Sequence, residues 1–410
     1  MPEFLNLRPP IEALDVLLAE INHSTGVEVI RTENALGRVL AAPVRAPYPL
    51  PNFRRSTVDG YAVKAADTYG ASSSLPAYLP LVGEVAMGTT PGFDLSKGTC
   101  ALIHTGGMLP EGADAVVMVE DTQQARSGEV ELLRAVAEGE NVIQVGEDVK
   151  LGEEIIPSGK VIRPAEIGGM MALGITEVEV VVQPKIGVIS TGDEVIPPDK
   201  AMNPGQVRDI NSYTLGGLIE QTGGEPKLYG IHPDEKEVVA KVLQQAHAEC
   251  DLVVVTAGSS ASARDLTSIV INELGEPGVL VHGVNVRPGK PTILGVCEGK
   301  PVVGLPGNPV SALVIARIFV VGVIEYFLGI EKKRKKPFVR AKLAVNISSQ
   351  SGREDWVAVR LLETEDGLEA DPVFGKSNLI FTLVKAHGLL KIPAEANGIP
   401  AGDLIDVWFI

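Results

Sequence analysis

Cysteine is scarce in this chain of 410 residues, which contains Cys100, Cys250 and Cys297. The three lie far apart and show no spacing typical of a metal site or a disulfide framework. Cys250 and Cys297 lie in or beside apolar runs. We therefore predict three reduced core cysteines, as is usual for a cytoplasmic protein.

Positive charge is also in short supply. Lys and Arg number 36 against 52 Asp and Glu, which gives a formal net charge of −16. This balance argues against nonspecific binding to nucleic acid or to an anionic membrane, although a local basic site remains compatible with it. The short basic run at 331–337 could be a nucleic-acid or localisation patch, but a solvated linker is our interpretation.

Targeting and membrane segments are not evident. The N-terminal stretch MPEFLNLRPPIEALDVLLAEI lacks the basic start and apolar segment of a signal peptide and predicts a helix capped by Pro9 and Pro10. The most hydrophobic window, 310–328, is long enough to raise the membrane question, yet Arg317 and Glu325 interrupt it. We expect a buried helix there, and neither a membrane nor a nucleic-acid partner.

Several common catalytic motifs are missing. The chain has no Walker A sequence, GxGxxG fingerprint, HExxH or GxSxG elbow, which argues against the common NTPase, dehydrogenase, metalloprotease and hydrolase classes. Its length predicts roughly two to four domains.

What is present is a regular alternation after about residue 185. Short β-branched runs at 185–190, 251–256 and 301–305 alternate with helical stretches at 213–221 and 234–248. This order predicts a doubly wound parallel sheet, in which ligands bind where loops leave the carboxyl ends of strands. The loops TGDE (191–194), AGSSASARD (257–265) and PGNPVS (306–311) should therefore converge on one cleft.

The remaining chain is richer in strands. Five strand-like runs after residue 337, with Asp366-Gly367 as a hairpin signal, predict a small all-β domain. Residues 52–144 are rich in Gly, Pro and short β-like runs, and the stretches on either side mix helices with short strands. We interpret residues 52–144 as a β-rich insert carried by a mixed module.

The PGNP turn is the first candidate binding element. A strand ending at Leu305 and a helix starting near Pro309 would leave Asn308 as the cap and Gly307 in a tight bend. Free backbone N–H groups and the helix dipole at such a turn favour an anion. An ordinary tight turn is the alternative.

Charged residues supply the second candidate. Carboxylates recur in loops or beside glycine, at Asp59, Asp148, Asp193-Glu194, Asp234 and Asp265. One such residue is usually a helix cap, which Asp234 in particular could be, whereas several gathered at strand ends could hold Mg²⁺. Arg287 and Lys290 flank a Pro-Gly turn and could match an oxyanion or a phosphate, unless they are solvated bases of a hairpin.

Six motifs in order resemble one family, molybdopterin molybdenumtransferase, which comprises the MoeA proteins and the E domain of gephyrin. They are RSTVDGYAV (55–63), TGGMLPEGADAVVMVE (105–120), ISTGDEV (189–195), RDINSYTL (208–215), RPGKP (287–291) and GLPGNPVSA (304–312). Two departures stand out: TAGSSAS (256–262) replaces the family's SGGVSxG, and Arg287 often is Lys in the family.

The resemblance implies an enzyme of molybdenum cofactor biosynthesis. It would hydrolyse adenylylated molybdopterin with Mg²⁺ and insert molybdate, its second substrate, into the pterin dithiolene. By matching positions, the implied acidic catalytic residues are Asp59, Asp148, Glu194, Asp234 and Asp265, and the implied metal ligands among them are Glu194, Asp234 and Asp265.

The implied substrate-binding residues are small, hydroxyl-bearing or basic. They are Thr105, Gly258, Ser259, Ser260, Arg287, Lys290, Pro291, Pro306, Gly307, Asn308, Pro309, Ser311, Arg353 and Ser377. This division is physically sensible, because carboxylates would repel molybdate and should hold metal, while the bases receive the oxyanion.

The resemblance also implies a cytoplasmic, elongated homodimer of four domains per chain. We expect a discontinuous mixed α/β domain (1–51 and 145–180), a β-rich insert domain (52–144), a doubly wound α/β molybdopterin-binding domain (181–333) and a C-terminal β-barrel (334–410). Molybdopterin adenylyltransferase and downstream cofactor or molybdoenzyme proteins are the expected partners. The alternatives are a gephyrin-type pterin-binding scaffold, a tungstate-preferring insertase and an anion-binding protein that acts on another nucleotide.

Overall fold

The computed structural model describes residues 7–126, 128–257, 261–330 and 338–410, with side chains for all of these except 125–126, 257 and 261–265. The described chain forms two compact units. Unit one comprises 7–41, 159–163 and 177–410, and unit two comprises 42–158 and 164–176. The basic run 331–337 lies outside the described residues.

The helices lie mostly in unit one, and α2 lies in unit two. They are α1 (Pro10–Glu20), α2 (Pro164–Ala172), α3 (Asn211–Thr222), α4 (Lys236–Glu249), α5 (Ala261–Leu274), α6 (Pro309–Ile318), α7 (Val320–Phe327) and α8 (Phe381–Val384).

The strands fall into three stretches of the chain. The first stretch contains β1 (Val27–Arg31), β2 (Val44–Arg45), β3 (Arg55–Ser56), β4 (Gly60–Val63), β5 (Ala77–Val85), β6 (Cys100–Ile103), β7 (Ala115–Met118), β8 (Thr122–Arg126), β9 (Glu129–Leu132), β10 (Val142–Ile143), β11 (Glu154–Ile156) and β12 (Glu177–Val181). The second contains β13 (Lys185–Thr191), β14 (Val195–Ile196), β15 (Val207–Arg208), β16 (Glu225–His232), β17 (Leu252–Ala257), β18 (Pro277–His282), β19 (Val286–Arg287), β20 (Ile293–Cys297) and β21 (Lys300–Pro306). The third contains β22 (Phe338–Leu343), β23 (Ile347–Ser348), β24 (Glu354–Thr364), β25 (Gly367–Pro372), β26 (Gly388–Ile392), β27 (Gly398–Ile399) and β28 (Leu404–Phe409).

The central sheet of unit one has the strand order β16-β13-β17-β21-β20-β18. The pairs β13–β16, β13–β17 and β17–β21 are parallel, as predicted for a doubly wound sheet. The sheet then continues with two antiparallel strands, β20 and β18. The residues between these two strands form the loop that carries Arg287, and a connection this short can join only antiparallel neighbours.

Helices cover both faces of this sheet, which explains why its inner strands β13, β17, β20 and β21 are almost wholly buried. On β17, Leu252 and Val254 pack with α1, α3, α6 and α7. Val253 and Val255 of the same strand pack with α4 and α5 on the opposite face. Because successive side chains of a strand point to opposite faces, β17 contributes residues to two separate hydrophobic cores.

Helix ends follow the local sequence with two exceptions. α1 begins at Pro10 and α3 ends at Gly223 in the left-handed conformation, as the sequence predicts. α4 begins at Lys236 with Glu235 at the N-cap, so the interpretation of Asp234 as the cap is wrong by one residue. Asn308 does occupy the N-cap of α6, but its side chain makes no capping bond and is engaged elsewhere.

The apolar segment Pro309–Phe327 is long and apolar enough to cross a membrane by length and composition alone, with a mean hydropathy of 2.1. In the structure it is divided into α6 and α7, and 61% of it is buried against the rest of the protein. Phe319, between the two helices, is fully buried in the core. The sequence predicts one buried helix here; the burial is confirmed, and the structure has two consecutive helices in place of one.

The C-terminal strands close into a five-stranded barrel. Its ring is β24-β25-β22-β28-β26, and β24 pairs with β26 to complete it. These five strands coincide with the five predicted strand-like runs, and the Asp366-Gly367 turn joins β24 to β25. A short parallel pair, β19–β24, attaches the Arg287 loop to the barrel.

Unit two contains a six-stranded sheet of order β7-β4-β6-β5-β9-β8, which agrees with a β-rich region. Two of its apolar clusters contain Ile103 and Leu132 respectively, and both side chains are fully buried. Gly60 is needed in β4, because a Cβ there would lie 2.0 Å from the carbonyl oxygen of Val117. The fold class is confirmed as multidomain α/β plus β-barrel, and the four domain boundaries stay predictions.

The cysteines match their interpretation. Cys100, Cys250 and Cys297 are free and buried. Burial raises the pKa of the Cys100 thiol to about 12 and that of Cys297 to about 11. These thiols therefore behave as core groups.

Candidate functional site

Two clefts lie at the carboxyl ends of the central strands of unit one. We call the first the carboxylate cleft. It has a volume of about 400 Å³ and is lined by Ser190, Thr191, Glu194, Val195, Val207, Arg208, Asp209, Ile210, Asn211, Thr256, Gly307, Asn308, Pro309 and Asn378. It brings together the TGDE and PGNP loops, as parallel strand ends predict.

The turn after β13 places Glu194 beside this cleft. Gly192 has a φ of 145°, and a Cβ there would lie 2.8 Å from Val195 and 2.9 Å from Glu194 Oε2. Only glycine fits so tight a bend. Val207 N then donates to the carbonyl oxygen of Glu194 over 2.9 Å, which fixes the loop against β15.

Asp234 lies against the same loop. Its backbone N donates to Asp193 Oδ1 over 3.3 Å. Burial is the main cause that raises the pKa of Asp234, and the neighbouring Asp193 and Glu194 add to it, whereas a hydrogen bond from Thr191 opposes it. Asp193, Glu194 and Asp234 thus lie near one another without converging on one point, and Glu194 and Asp234 belong to the predicted metal set.

One atom allows the fit of a divalent cation to be judged. Asp234 Oδ1 is buried and has no hydrogen-bond partner among the described residues. A carboxylate oxygen in this state, beside two further carboxylates, suits a bound cation. No group of three His, Cys, Asp or Glu converges as a metal site among the described residues, and the side chain of Asp265, in α5, lies outside them.

The carboxylate cleft also contains residues that sequence reasoning missed. Asn211 Nδ2 donates to the carbonyl oxygen of Gly307 over 2.8 Å, which ties the start of α3 to the PGNP turn. Asp209 is buried, and its Oδ1 accepts the backbone N–H of Ser212 over 3.1 Å. The RDINSYTL motif contains both residues, so the motif was visible although their contacts were not.

We call the second cleft the basic cleft. It has a volume of about 1120 Å³ and lies between the 284–291 and 306–311 loops on one side and the barrel on the other. Its predicted lining residues are Arg287, Lys290, Pro291, Pro306, Asn308, Ser311, Arg353 and Ser377. Asn308 and Asn378 line both clefts, so the two adjoin at the PGNP turn.

The Arg287 loop is held rigidly. Gly289 has a φ of 112°, and a Cβ there would lie 2.2 Å from the buried Ile315 of α6. Thr292 Oγ1 donates to the carbonyl oxygen of Gly289 over 2.7 Å, and Val284 N donates to that of Lys290 over 2.9 Å. The loop therefore presents Arg287 and Lys290 to the cleft from a fixed backbone.

Asp355 was not predicted and lies in the wall of the basic cleft. Its side chain is only 6% exposed. Arg353 Nε and Nη2 donate to its two oxygens over 2.8 and 3.4 Å, and Arg287 Nη1 lies 3.7 Å from Oδ2. Arg287 and Asp355 become neighbours through the register of β19 with β24, a nonlocal pairing that no sequence pattern announces.

Unit two contains a third group of predicted residues. Thr105 N donates to Asp59 Oδ1 over 2.8 Å, and this bond is the main cause that lowers the pKa of Asp59. His104 lies between two carboxylates, with Nε2 3.0 Å from Glu84 and Nδ1 3.7 Å from Asp59. The structure therefore brings Asp59 and Thr105 together on one exposed surface.

Asp148 lies in a different part of unit two. It belongs to the turns at 146–153, which border a shallow depression, and its backbone N donates to the carbonyl oxygen of Leu50 over 3.1 Å. Gly258, Ser259 and Ser260, predicted to contact the substrate, lie outside the described residues.

A largely parallel sheet covered by helices, with two clefts at its strand ends and a closed barrel after it, defines a multidomain α/β protein with an appended β-barrel. Sequence models of known families then cover nearly the whole chain. "MoeA N-terminal region (domain I and II)" matches residues 8–174, "Probable molybdopterin binding domain" matches 187–326, and "MoeA C-terminal region (domain IV)" matches 340–410.

Individual proteins agree. A Methanocaldococcus jannaschii protein named for molybdopterin biosynthesis is 35% identical over 95% of this chain and 94% of its own length. A molybdopterin molybdenumtransferase of Nostoc sp. is 31% identical over 94% of this chain and 89% of its own. The crystal structure of a molybdopterin biosynthesis MoeA protein from Pyrococcus horikoshii has a TM-score of 0.82 at 37% identity and covers 98% of this chain and 99% of that one.

The chain belongs to the MoeA family, the molybdopterin molybdenumtransferases of molybdenum cofactor biosynthesis.

Proposed function

We propose that this enzyme hydrolyses adenylylated molybdopterin and inserts molybdate into the pterin dithiolene to give molybdenum cofactor. The observation that carries this proposal is the adjacency of two clefts of opposite charge at the PGNP turn, where Asn308 and Asn378 line both. A substrate with a phosphate link at one end and a metal-accepting dithiolene at the other would need two such environments side by side.

The carboxylate cleft supports the hydrolytic half of the proposal. Asp234, with Glu194 and Asp265, would hold Mg²⁺, since Asp234 Oδ1 is a buried carboxylate oxygen with no hydrogen-bond partner in the described part of the chain. Bound Mg²⁺ supplies neutralisation of phosphate charge at the bond that breaks. The PGNP turn faces the same cleft, and its helix N-terminus favours a phosphate.

The basic cleft supports the insertion half. Arg287, Lys290 and Arg353 line it together with the hydroxyls of Ser311 and Ser377. Guanidinium and ammonium groups attract an oxyanion and hydroxyls complete its hydrogen bonds, so molybdate is the substrate that these residues would receive. The chemistry of the lining does not separate molybdate from tungstate, which is why a competition between the two oxyanions belongs in the assay.

The residues of unit two complete the proposed set. Asp59, Asp148 and Thr105 carry over from the family motifs, and the adjacency of Asp59 and Thr105 supports a shared role for these two.

We further propose that the protein acts as a homodimer in the cytoplasm and receives its substrate from molybdopterin adenylyltransferase. Sedimentation of the full chain as a monomer at micromolar concentration would contradict the dimer.

The proposed reaction can be tested by single-turnover AMP release from adenylylated molybdopterin in the presence of Mg²⁺ and molybdate. We expect AMP release and cofactor formation from the parent. Arg287→Ala and Lys290→Ala should raise the molybdate concentration needed for half-maximal turnover by roughly ten- to a hundredfold, the effect of losing one charge-assisted contact.

Arg340→Ala is a matched control, because the side chains of Arg340 and Arg287 are both 65% exposed and each lies beside one aspartate. Arg340 belongs to β22 of the barrel, outside the basic cleft, so its variant should keep the parental molybdate dependence. No AMP release from the parent would contradict the proposed reaction. Equal effects of all three variants would show that the cleft is misplaced.

A further inference from the structure

Asp355 lies where the two walls of the basic cleft meet. Arg353 comes from the barrel and Arg287 from a loop of the α/β layer, and both guanidinium groups approach the same carboxylate. The backbones on either side are paired as well, since β19 and β24 align Arg287 with Asp355, and Glu354 N donates to the carbonyl oxygen of Asn285 over 3.0 Å.

The two arginines contact Asp355 differently. Arg353 uses Nε and Nη2 at 2.8 and 3.4 Å, a side-on pair that fixes the plane of its guanidinium, and its side chain is 28% exposed. Arg287 lies at 3.7 Å, beyond hydrogen-bond distance, and is 65% exposed. Arg353 is thus oriented, and among the described residues its remaining N–H groups have no other acceptor, whereas Arg287 is only attracted toward the same carboxylate.

We propose that Asp355 is the positioning residue of the oxyanion site, holding one arginine from each wall so that both can bind the same molybdate. This inference rests on the proposed function, because it takes the basic cleft as the molybdate site. Asp355 itself does not contact the oxyanion in this arrangement. Its contribution is the orientation of Arg353 and the separation between the two walls.

Asp355 could affect molybdate binding through its negative charge or through the orientation of Arg353, and these two effects predict opposite changes in the Kd of Asp355→Asn. A carboxylate acting only through its charge would repel molybdate, so its neutralisation would tighten binding. If the carboxylate positions Arg353, its replacement should weaken binding. In Asp355→Asn the amide NH₂ would face an N–H of Arg353, two donors opposite each other, and turn the guanidinium away. We expect the Kd of Asp355→Asn for molybdate to rise about tenfold.

The measurement is equilibrium dialysis of molybdate against the full-length protein, followed by the AMP-release assay. The molybdate concentration for half-maximal turnover should rise in parallel with the Kd, while the rate at saturating molybdate changes little. Arg353→Lys, which keeps the positive charge but loses the planar fork, should weaken binding to a similar extent. The double variant should be no weaker than either single variant, because the two side chains act as one unit.

Asp371→Asn serves as the matched control. Asp371 pairs with Arg360 over 2.5 Å on the barrel, outside both clefts, and its variant should bind molybdate like the parent. Thermal melts accompany each variant. If Asp355→Asn melts below the assay temperature, Arg353→Lys and Asp355→Glu carry the test, and parental affinity in both would overturn the inference.

Parental or tighter affinity in a folded Asp355→Asn would also overturn it, while leaving the proposed function intact. Additive losses in the double variant would show that the two residues act separately and would likewise refute the positioning role. A parent that binds no molybdate would contradict the proposed function itself, and the inference with it.

Discussion

Asn308 Nδ2 donates a hydrogen bond to Ser377 Oγ over 3.0 Å. The backbone of the same serine accepts a second bond, from Val310 N, also over 3.0 Å. Ser377 belongs to the stretch that follows β25 of the barrel, and Asn308 and Val310 belong to the start of α6. The turn at the junction of the two clefts is therefore held in place from the barrel side.

Ser377→Ala should lower the free energy of unfolding by about 1 kcal/mol, because it leaves the half-buried Asn308 amide without its acceptor. Urea denaturation measures this change. Ser351→Ala is the control, since the Ser351 hydroxyl is exposed and donates a long bond, 3.5 Å, to the carbonyl oxygen of Ala394. Equal decreases in the free energy of unfolding of the two variants would show that the bond between Asn308 and Ser377 does not stabilise the protein.

Asp234→Asn should raise the melting temperature in the absence of Mg²⁺. Burial and two acidic neighbours raise the pKa of Asp234, so the folded state holds its proton more tightly than the unfolded state does. Stability then falls as pH rises from the ordinary aspartate pKa through the raised one, and the ionised group is unfavourable at neutral pH. An amide removes that cost.

The same variant should lose the stabilisation that Mg²⁺ gives the parent, since a cation that binds only the folded state raises its stability. Thermal melts with and without Mg²⁺ show both effects. Asp199→Asn, an exposed aspartate beside Lys200, should behave like the parent throughout. A variant that still gains stability from Mg²⁺ would remove Asp234 from the proposed metal set.

Gly289→Ala should destabilise the protein more than Gly352→Ala does. Both glycines border the basic cleft with positive φ, 112° and 97°, so each alanine has a backbone cost of about 1–2 kcal/mol. At Gly289 the new Cβ also meets Ile315 at 2.2 Å, whereas the space at Gly352 is open. Overpacking of this kind costs roughly a further 1–3 kcal/mol.

Urea unfolding of the two variants separates the cost of the clash with Ile315 from the cost of placing alanine at a positive φ, because only Gly289→Ala has both. Gly289→Ala should additionally weaken molybdate binding, because relief of the clash moves the loop that carries Arg287 and Lys290. Similar unfolding free energies for the two variants would mean that the Ile315 side chain moves away from the new Cβ without destabilising the protein.

Glu249→Gln should destabilise the protein at neutral pH but not in strong acid. Glu249 accepts bonds from Lys227 Nζ and the Tyr229 hydroxyl, each over 2.6 Å, and the Lys227 bond is the main cause that lowers its pKa to about 2. A lowered pKa in the folded state stabilises the protein above the ordinary glutamate pKa, and this stabilisation disappears as pH falls toward 2.

The difference in urea midpoint between parent and Glu249→Gln should therefore be largest near neutral pH and shrink between about pH 4.5 and pH 2. Added salt should reduce it as well, because the side chains are exposed. A difference that stays constant with pH would mean that the amide serves Lys227 and Tyr229 as well as the carboxylate does.

The sequence predicts local features of this fold well. Strands 185–190, 251–256 and 301–305 were recognisable because each is a β-branched run bounded by turn residues, and each matches an observed strand to within one residue at either end. The five barrel strands were recognisable for the same reason. The carboxyl ends of β13 and β21 then follow from the parallel arrangement, which is why residues of the TGDE and PGNP loops share a cleft.

Nonlocal features were not predictable. The pairing of β19 with β24, which brings Asp355 to Arg287, joins segments more than sixty residues apart with only two residues in each. The side chain of Asn308 had a local role available as a helix cap, and the tertiary bond to Ser377 replaced it. The sequence also did not predict that β18 and β20 join the central sheet. The Pro-Gly turn between them, which carries Arg287 and Lys290, is equally compatible with a hairpin on the surface.

The closure of the barrel restricts how other proteins can bind it. Each strand of the ring β24-β25-β22-β28-β26 has two neighbours within the ring, and β19 already pairs with the free start of β24, so the ring leaves little open edge onto which a partner could add a strand. A protein that docks on the barrel must use its loops and outward-facing side chains. The same closure protects the barrel from edge-to-edge aggregation when the enzyme is concentrated.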